Sequence, residues 1–176
     1  MRNFRVSLWV AILLTIAYCA DAQDIAPDQI MLFKVVEGDS LYLHVFRPKV
    51  SDVPTAAIVF FFGGGWESGT PRQFYQQSEY LASRGMLAIS AEYRTRKKYG
   101  TSPFDCVEDG KSAIRWVRQH AAALNIDPDK IVASGGSAGG HVAICTALTN
   151  QQFENPAEDL SISSIPNAVI GYNPVF

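Results

Sequence analysis

Residues 131–141 read IVASGGSAGGH, in which a short β-branched run leads into a glycine-rich turn centred on Ser137. Residues 135–139 match G-x-S-x-G, the pattern of a nucleophile elbow, which presents a serine on a sharp turn between a strand and a helix. Small residues beside the serine let the strand and the helix approach each other closely. The N–H groups at the start of that helix favour an anion near the serine. The motif therefore predicts that Ser137 is a nucleophile.

Two other interpretations fit a five-residue motif of this kind. A glycine-rich turn from strand to helix also occurs with an idle serine, or as a loop that cradles a phosphate. No G-K-[ST] follows the glycines, which argues against a P-loop. The Gly139-Gly140 pair suits the close helix packing of an elbow.

A second glycine cluster follows another apolar run. Residues 56–62 read AAIVFFF without alternation, which is typical of a strand covered on both faces and predicts a parallel sheet. The strand leads directly into Gly63-Gly64-Gly65, at the sheet edge where open α/β sheets place their sites. Exposed backbone N–H groups at this edge suit the oxyanion of acyl transfer. A plain flexible turn explains three glycines equally well.

Strands and helices alternate around these two motifs. The first two strands, over residues 31–36 and 41–46, predict a hairpin at Gly38-Asp39, with His44 as a strand-face residue. The later elements predict right-handed βαβ units and a parallel sheet. They are strands over 86–91, 130–134 and 166–172, helices over 70–84, 102–124 and 138–148, loops over 95–101 and 151–165, and a turn at 127–129.

Several further residues complete a family resemblance that covers residues 30–176. They are the stretches FFGGGW (61–66), EYR (92–94) and RWV (115–117), together with Asp109 and the elbow with His141. In this combination the chain resembles the α/β-hydrolase superfamily. Within it the chain is similar to the acetyl-esterase/lipase-like carboxylesterases, the BD-FAE and hormone-sensitive-lipase-like group. The resemblance implies an α/β-hydrolase fold: a mostly parallel sheet with helices on both faces and an antiparallel hairpin at the N-terminus.

The resemblance also assigns roles to residues. It implies that Ser137 is the catalytic nucleophile and that the N–H groups of Gly64, Gly65 and Ala138 form the oxyanion hole. Phe62 stands where the family commonly has a histidine, which is usually supportive. His141 is expected to be a packing or hydrogen-bonding residue.

The family's acid and histidine follow the serine in chain order. After Ser137 the only histidine is His141, and the late acids Glu154, Glu158 and Asp159 all precede the last predicted strand. We therefore expect this chain to be the N-terminal part of an esterase domain, truncated at the C-terminus, without the triad acid and histidine and inactive alone. Residues 23–176 are assigned to this domain.

Composition limits the remaining classes of function. The chain has 176 residues, 48% of them hydrophobic, and a net charge of −2, which does not favour nucleic-acid binding. Residues 1–22 predict a signal peptide, with two arginines, an apolar run over 6–18 and small residues at Ala20 and Ala22. A membrane anchor or a buried N-terminal helix is the alternative, but the run is short for a span. Secretion or export to the periplasm is expected, with no stable membrane span after cleavage.

The expected substrate is a small-molecule or carbohydrate ester with an acetyl or other short acyl group, and neither a cofactor nor a metal is expected. Cys106 and Cys145 lack metal-ligand spacing and are expected to be buried free thiols. Two other functions remain open: a non-catalytic binding protein with this fold, and an exported serine peptidase.

Overall fold

The computed structural model describes residues 24–49 and 52–176. The predicted signal peptide, residues 1–22, lies outside the described residues. Among the residues that are described, no helix is long and apolar enough to cross a membrane.

Six strands form one mixed sheet in the order β1-β2-β4-β3-β5-β6. β1 and β2 form the predicted antiparallel hairpin, and β2 pairs antiparallel with β4. β4, β3, β5 and β6 run parallel to one another. The strands are β1 (Gln29–Val36), β2 (Asp39–Phe46), β3 (Thr55–Phe61), β4 (Leu87–Ala91), β5 (Ile126–Gly136) and β6 (Ala168–Tyr172).

Five α-helices and one 3₁₀ helix connect the strands within the described residues. The 3₁₀ helix Pro71–Phe74 leads directly into α1. Residues 95–101, predicted to be a loop, contain the single-turn helix α2, and the helix predicted over 102–124 ends at Gln119 and resumes after His120. The helices are α1 (Tyr75–Ser83), α2 (Arg96–Tyr99), α3 (Pro103–Gln119), α4 (Ala121–Leu124) and α5 (Ala138–Leu148).

The turn predicted at residues 127–129 lies inside strand β5. Thr55 of β3 pairs with Ile126, whereas Ala57 pairs with Ile131, so the intervening residues of β5 bulge out of the ladder. Asp127 Oδ1 accepts a hydrogen bond of 2.9 Å from the Asp129 N–H within this bulge. The prediction of turn chemistry was correct, but the strand begins before it.

The hydrophobic core has two layers, one on each face of the sheet. Phe60 and Phe74 belong to the layer beneath α1, and Ile114 and Val142 belong to the layer beneath α3 and α5.

The order of the strands reverses at β3. After β3 the chain forms β4 on one side of β3 in the sheet, and it then crosses over to form β5 on the other side of β3. A switch in strand order therefore falls between β3 and β5, and open α/β sheets bind ligands at the carboxyl ends of strands at such a point.

Candidate active site

Ser137 lies at that switch point, on the turn between the end of β5 and the start of α5. Its backbone has φ 51° and ψ −119°, a region that non-glycine residues rarely occupy. Three hydrogen bonds hold this conformation. The Ser137 N–H donates to the Tyr172 carbonyl at 3.0 Å, and the Ser137 carbonyl accepts from the N–H groups of His141 and Val175 at 3.1 and 3.3 Å. The turn has the conformation that an elbow requires.

Two glycines of the elbow have no room for a side chain. A Cβ atom on Gly139 would lie 2.1 Å from the Phe61 carbonyl oxygen, and one on Gly135 would lie 2.3 Å from the Gly139 carbonyl oxygen. Both neighbours are backbone atoms, which cannot rotate away. The close approach of strand and helix predicted from the sequence is therefore present.

The glycine loop, residues 63–65, follows β3 beside the serine. A Cβ built on Gly63 would lie 3.4 Å from the Ser137 Cβ. Gly64 has φ 138° and a Cβ there would lie 1.7 Å from the Ser68 carbonyl oxygen, so the loop needs glycine at this position. The Gly64 carbonyl accepts the N–H groups of Glu67 and Ser68 at 3.1 and 3.2 Å, which closes the loop into a tight turn.

The three predicted oxyanion donors lie in two segments of the chain, both at the carboxyl ends of β3 and β5. Gly64 and Gly65 lie in the glycine loop, and Ala138 is the buried first residue of α5. Within the described residues, neither the Gly64 nor the Gly65 N–H donates a hydrogen bond. The structure thus brings the predicted donors and the predicted nucleophile to one edge of the sheet, and their catalytic roles remain predictions.

Gln73, which no motif in the sequence indicates, contacts the glycine loop. The Gly63 N–H donates to Gln73 Oε1 at 2.5 Å. Gln73 belongs to the 3₁₀ helix that starts after the loop, and its side chain reaches back over ten positions of the chain. No local pattern marks such a contact, because the path of the intervening loop depends on tertiary packing.

Phe62 and Tyr93 form a stacked pair behind the glycine loop. Their ring centroids are 4.1 Å apart with an angle of 14° between the planes. The Tyr93 hydroxyl donates to the Phe62 carbonyl at 2.6 Å. Burial raises the pKa of Tyr93, so the hydroxyl stays a neutral donor. Phe62 supports the loop through stacking, in the place where the family commonly has a histidine.

None of the three histidines hydrogen-bonds to the Ser137 side chain. His141 packs edge-on against Trp66, with ring centroids 5.3 Å apart, and its Nε2 lies 3.4 Å from Cys145 Sγ. His44 Nδ1 lies 2.7 Å from the Tyr75 hydroxyl, and His120 Nδ1 lies 2.8 Å from the Trp116 carbonyl. His141 is thus a packing residue, and His44 is on the strand, as predicted.

The late acids are engaged elsewhere. Glu154 bonds to Lys111 and Arg115 of α3, and Glu158 Oε2 accepts from Arg115 Nη1 at 2.6 Å. Burial favours a higher pKa for Glu154, but hydrogen bonds from Arg115, Ser164 and Lys111 outweigh it and lower the pKa. These ion pairs hold the irregular segment 151–165 against α3. The two carboxylates therefore bind cations of α3 and do not hydrogen-bond to the elbow.

Cys106 and Cys145, the two cysteines of the described residues, are free as expected, but only Cys106 is also buried as expected. Cys106 is buried in α3, and burial raises the pKa of its thiol to about 12. Cys145 on α5 is only half-buried, and burial raises its pKa as well. Neither thiol is an activated nucleophile at neutral pH.

The chain is similar in sequence to a protein family and to several known esterases. The BD-FAE family model matches residues 43–172. "Probable carboxylic ester hydrolase LipM" of Mycobacterium tuberculosis is 37% identical over 115 residues, 64% of this chain and 26% of that protein. "Probable isoprenylcysteine alpha-carbonyl methylesterase ICMEL1" of Arabidopsis thaliana is 31% identical over 130 residues, 74% of this chain and 27% of that protein.

A solved structure is also similar. The apo form of Thermogutta terrifontis esterase 2 superimposes with a TM-score of 0.84 and 50% sequence identity, over 87% of this chain and 57% of that chain. The present chain therefore spans about a quarter of the length of those two curated relatives and somewhat more than half of the solved esterase.

Proposed function

The chain belongs to the BD-FAE family, within the carboxylesterases of the α/β-hydrolase superfamily, and on this basis we propose that the whole protein is a serine carboxylic-ester hydrolase. The observation that carries the proposal is the placement of Ser137 on a strained turn beside the glycine loop, where a Cβ built on Gly63 would lie 3.4 Å from the Ser137 Cβ. A positive φ at a serine between a strand and a helix is costly, and such strain is typical of functional sites.

The proposed reaction uses this geometry directly. Ser137 Oγ attacks the ester carbonyl carbon, and the carbonyl oxygen becomes an oxyanion. The N–H groups of Gly64, Gly65 and Ala138 stabilise that charge, and each such donor is worth about 2.7–4 kcal/mol in enzymes where one was removed. The alcohol then leaves, and water hydrolyses the acyl-enzyme.

A base must take the proton of Ser137 and then give it to the departing alkoxide, which leaves as the alcohol. Since none of the three histidines in this chain contacts the Ser137 hydroxyl, we propose that a histidine and an acid from the rest of the protein complete the site. The lengths of the relatives, of which this chain spans only a part, leave room for both.

The proposed substrates are esters of short acyl groups. Structures of Thermogutta terrifontis esterase 2 include propionate-bound and butyrate-bound forms, which supports a short acyl chain here. A carbohydrate ester is a second form of the same proposal. Hydrolysis rates for p-nitrophenyl esters of two, four and eight acyl carbons would test the acyl preference, with the highest rate expected for the shorter two.

Covalent labelling tests the nucleophile. Thermogutta terrifontis esterase 2 has been solved phosphorylated by paraoxon. We expect paraoxon to transfer its diethylphosphoryl group to Ser137 Oγ in the full-length protein, with p-nitrophenolate as the leaving group. Peptide mass spectrometry should find the group on Ser137, and Ser137→Ala should abolish both the label and the hydrolysis of p-nitrophenyl acetate.

Ser134→Ala is a suitable control, because Ser134 is buried in β5 and its hydroxyl donates to the Ile170 carbonyl at 2.9 Å. This variant should keep the label. A full-length protein that hydrolyses no ester and takes no label would contradict the proposal and favour a non-catalytic binding protein.

We also propose that the protein is exported. The two arginines, the apolar run at 6–18 and the small residues at 20 and 22 support a cleaved signal peptide. N-terminal sequencing of the protein purified from its own cells should begin at Gln23. An N-terminus at Met1 would contradict export by this route.

A further inference from the structure

We propose that Gln73 is a positioning residue, which fixes the glycine loop so that the Gly64 and Gly65 N–H groups face the oxyanion. The proposal depends on the proposed esterase function for its catalytic consequence. Its structural part, the anchoring of the loop by a side-chain oxygen, stands on the contacts alone.

The contact is a direct hydrogen bond to the first residue of the loop. Gln73 Oε1 accepts the Gly63 N–H at 2.5 Å and lies 3.5 Å from the position that a Gly63 Cβ would take. Gly63 in turn lies close to the elbow, because a Cβ built on it would be 2.9 Å from the Gly136 carbonyl oxygen and 3.4 Å from the Ser137 Cβ. Gln73 therefore sets the position of the residue that joins the loop to the elbow.

The hydrogen bond also divides the loop's N–H groups into two kinds. The Gly63 N–H is occupied by Gln73, whereas the next two N–H groups donate to no described residue. An oxyanion hole needs donors fixed in advance but not yet bonded. Anchoring the first amide and leaving the next two unbonded gives that arrangement.

Gln73 stands on a rigid support. It belongs to the 3₁₀ helix Pro71–Phe74, in which Pro71 and Phe74 are both buried. The Phe74 ring stacks on Phe60 of β3 with centroids 4.8 Å apart, and its Cζ would lie 3.4 Å from a Cβ on Gly136. The same aromatic side chain thus stacks on the strand before the glycine loop and lies beside the end of the strand before Ser137. Groups held on such packed elements keep a defined geometry.

The chemistry of the side chain suits the position. The Gly63 N–H needs an acceptor, and a glutamine amide supplies an uncharged one. A glutamate would accept the same hydrogen bond, but its negative charge would oppose the negative charge that develops on the substrate. A methionine would fill the same volume without an acceptor comparable to the amide oxygen. These two replacements separate the effect of the hydrogen bond from that of charge.

The test uses the full-length protein with Gln73→Met and Gln73→Glu. We expect Gln73→Met to lower kcat for p-nitrophenyl acetate about tenfold with KM changed less than about twofold, because a displaced loop weakens binding of the transition state more than of the substrate. Amide hydrogen exchange in a peptide containing residues 63–65 should become faster. The control is Gln77→Met on the exposed face of α1, which should change neither quantity.

Gln73→Glu distinguishes an effect on the oxyanion donors from a merely structural role, because a merely structural role would not change the pH dependence of kcat. We expect the Gly63 amide to keep its slow exchange, because glutamate still accepts its hydrogen bond, but we expect kcat to fall at about pH 8, where the carboxylate is charged. The ratio of variant to wild-type kcat should then rise as the pH is lowered towards about 5, where a growing fraction of the carboxyl group is neutral.

If amide hydrogen exchange in residues 63–65 is as slow in Gln73→Met as in the wild type, the proposed anchoring is wrong, whatever the protein's activity. Faster exchange with unchanged kcat in an active protein would overturn the catalytic consequence. If the wild-type protein shows no ester hydrolysis that depends on Ser137, the proposed esterase function is wrong instead. The exchange measurement would still show whether Gln73 anchors the loop.

Discussion

The glycines of the elbow differ sharply in the space around them. A Cβ on Gly139 would meet the carbonyl oxygens of Phe61 and Phe62 at 2.1 and 2.3 Å, whereas the nearest atom to a Cβ on Gly136 is the Phe74 Cζ at 3.4 Å. We expect Gly139→Ala to lower the free energy of unfolding by about 2–4 kcal/mol, because backbone must shift to admit the methyl group. Urea unfolding of the protein measures this.

Gly136→Ala is the matched control. Its added methyl group meets only ordinary van der Waals contacts, so the change in unfolding free energy should stay below about 1 kcal/mol. Equal losses in the two variants would mean that β5 and α5 do not approach as closely as described.

His141 should make stability depend on pH. Burial lowers the pKa of His141 in the folded protein. The unfolded chain therefore binds the proton more readily, and the contribution of this residue to stability is full above about pH 6.5 and falls as the pH drops below it. Cys145, the neighbour of His141, has a raised pKa and stays a neutral thiol in this range.

We expect His141→Gln to reduce the loss of unfolding free energy between about pH 7.5 and about pH 5.5, because the titrating group is removed. Urea unfolding at the two pH values gives the difference for each protein. An identical pH dependence in the variant and the wild type would show that His141 does not supply this proton uptake.

At the scale of elements, a buried charge cluster joins β1, the segment that follows β4, and α3. Lys34 Nζ lies 2.7 Å from Asp109 Oδ1, and Arg94 Nε lies 2.8 Å from Asp109 Oδ2. The Asp109 side chain is fully buried. We expect Asp109→Asn to cost about 3–5 kcal/mol of unfolding free energy, because two buried cations lose their shared counter-charge. Urea unfolding measures the loss.

Glu108→Gln is the control for this cluster, since Glu108 Oε1 contacts the same two cations at 2.7 and 3.2 Å. Its side chain is 27% exposed, so solvent compensates for part of the lost charge. The expected cost is about 1 kcal/mol or less. A larger loss for Glu108→Gln than for Asp109→Asn would contradict the assignment of Asp109 as the centre of the cluster.

The elements that the sequence predicted correctly are those with local signals. The apolar runs of β3 and β4, the Ser102-Pro103 start of α3 and the hairpin at Gly38 all depend on residues close together in the chain. The bulge in β5 was missed because strand pairing is non-local and continues on both sides of a local turn. Phe104 falls at helical spacing with Val107 and Ile114, which predicts a place on the buried side of α3. It is instead 63% exposed and stacks on Phe153, with centroids 5.2 Å apart.

The helix after Ser137 also shows that burial cannot be predicted from a local pattern alone. Its sequence is apolar nearly all round, which predicts that it lies in the middle of the molecule. Val142 and Ala143 are buried, but Leu148 is 74% exposed in the described residues. Gln73 and the cluster around Asp109 were missed because their contacts join distant parts of the chain. Motifs predicted the nucleophile and the glycine loop; tertiary packing determines what supports them.

At the scale of the whole molecule, the sheet order explains why the two glycine motifs meet. β3 and β5 are neighbours although β4 lies between them in sequence, so the ends of both strands reach one edge. Phe61 pairs with Gly135, which places the glycine loop and the elbow directly beside each other. The two motifs therefore lie at one site, although about 70 residues separate them in the chain.

This arrangement leads to a prediction about residues 24–176 alone. They contain the proposed nucleophile and donors, but none of their histidines contacts the Ser137 hydroxyl. A serine hydrolase that lacks its histidine loses about a million-fold in kcat, as in subtilisin. A polypeptide of these residues should therefore give no p-nitrophenyl acetate hydrolysis that disappears in Ser137→Ala, while the full-length protein should give such turnover. Circular dichroism provides the control that the polypeptide is folded. Hydrolysis by the folded polypeptide that is lost in Ser137→Ala would show that a group within these residues activates the serine.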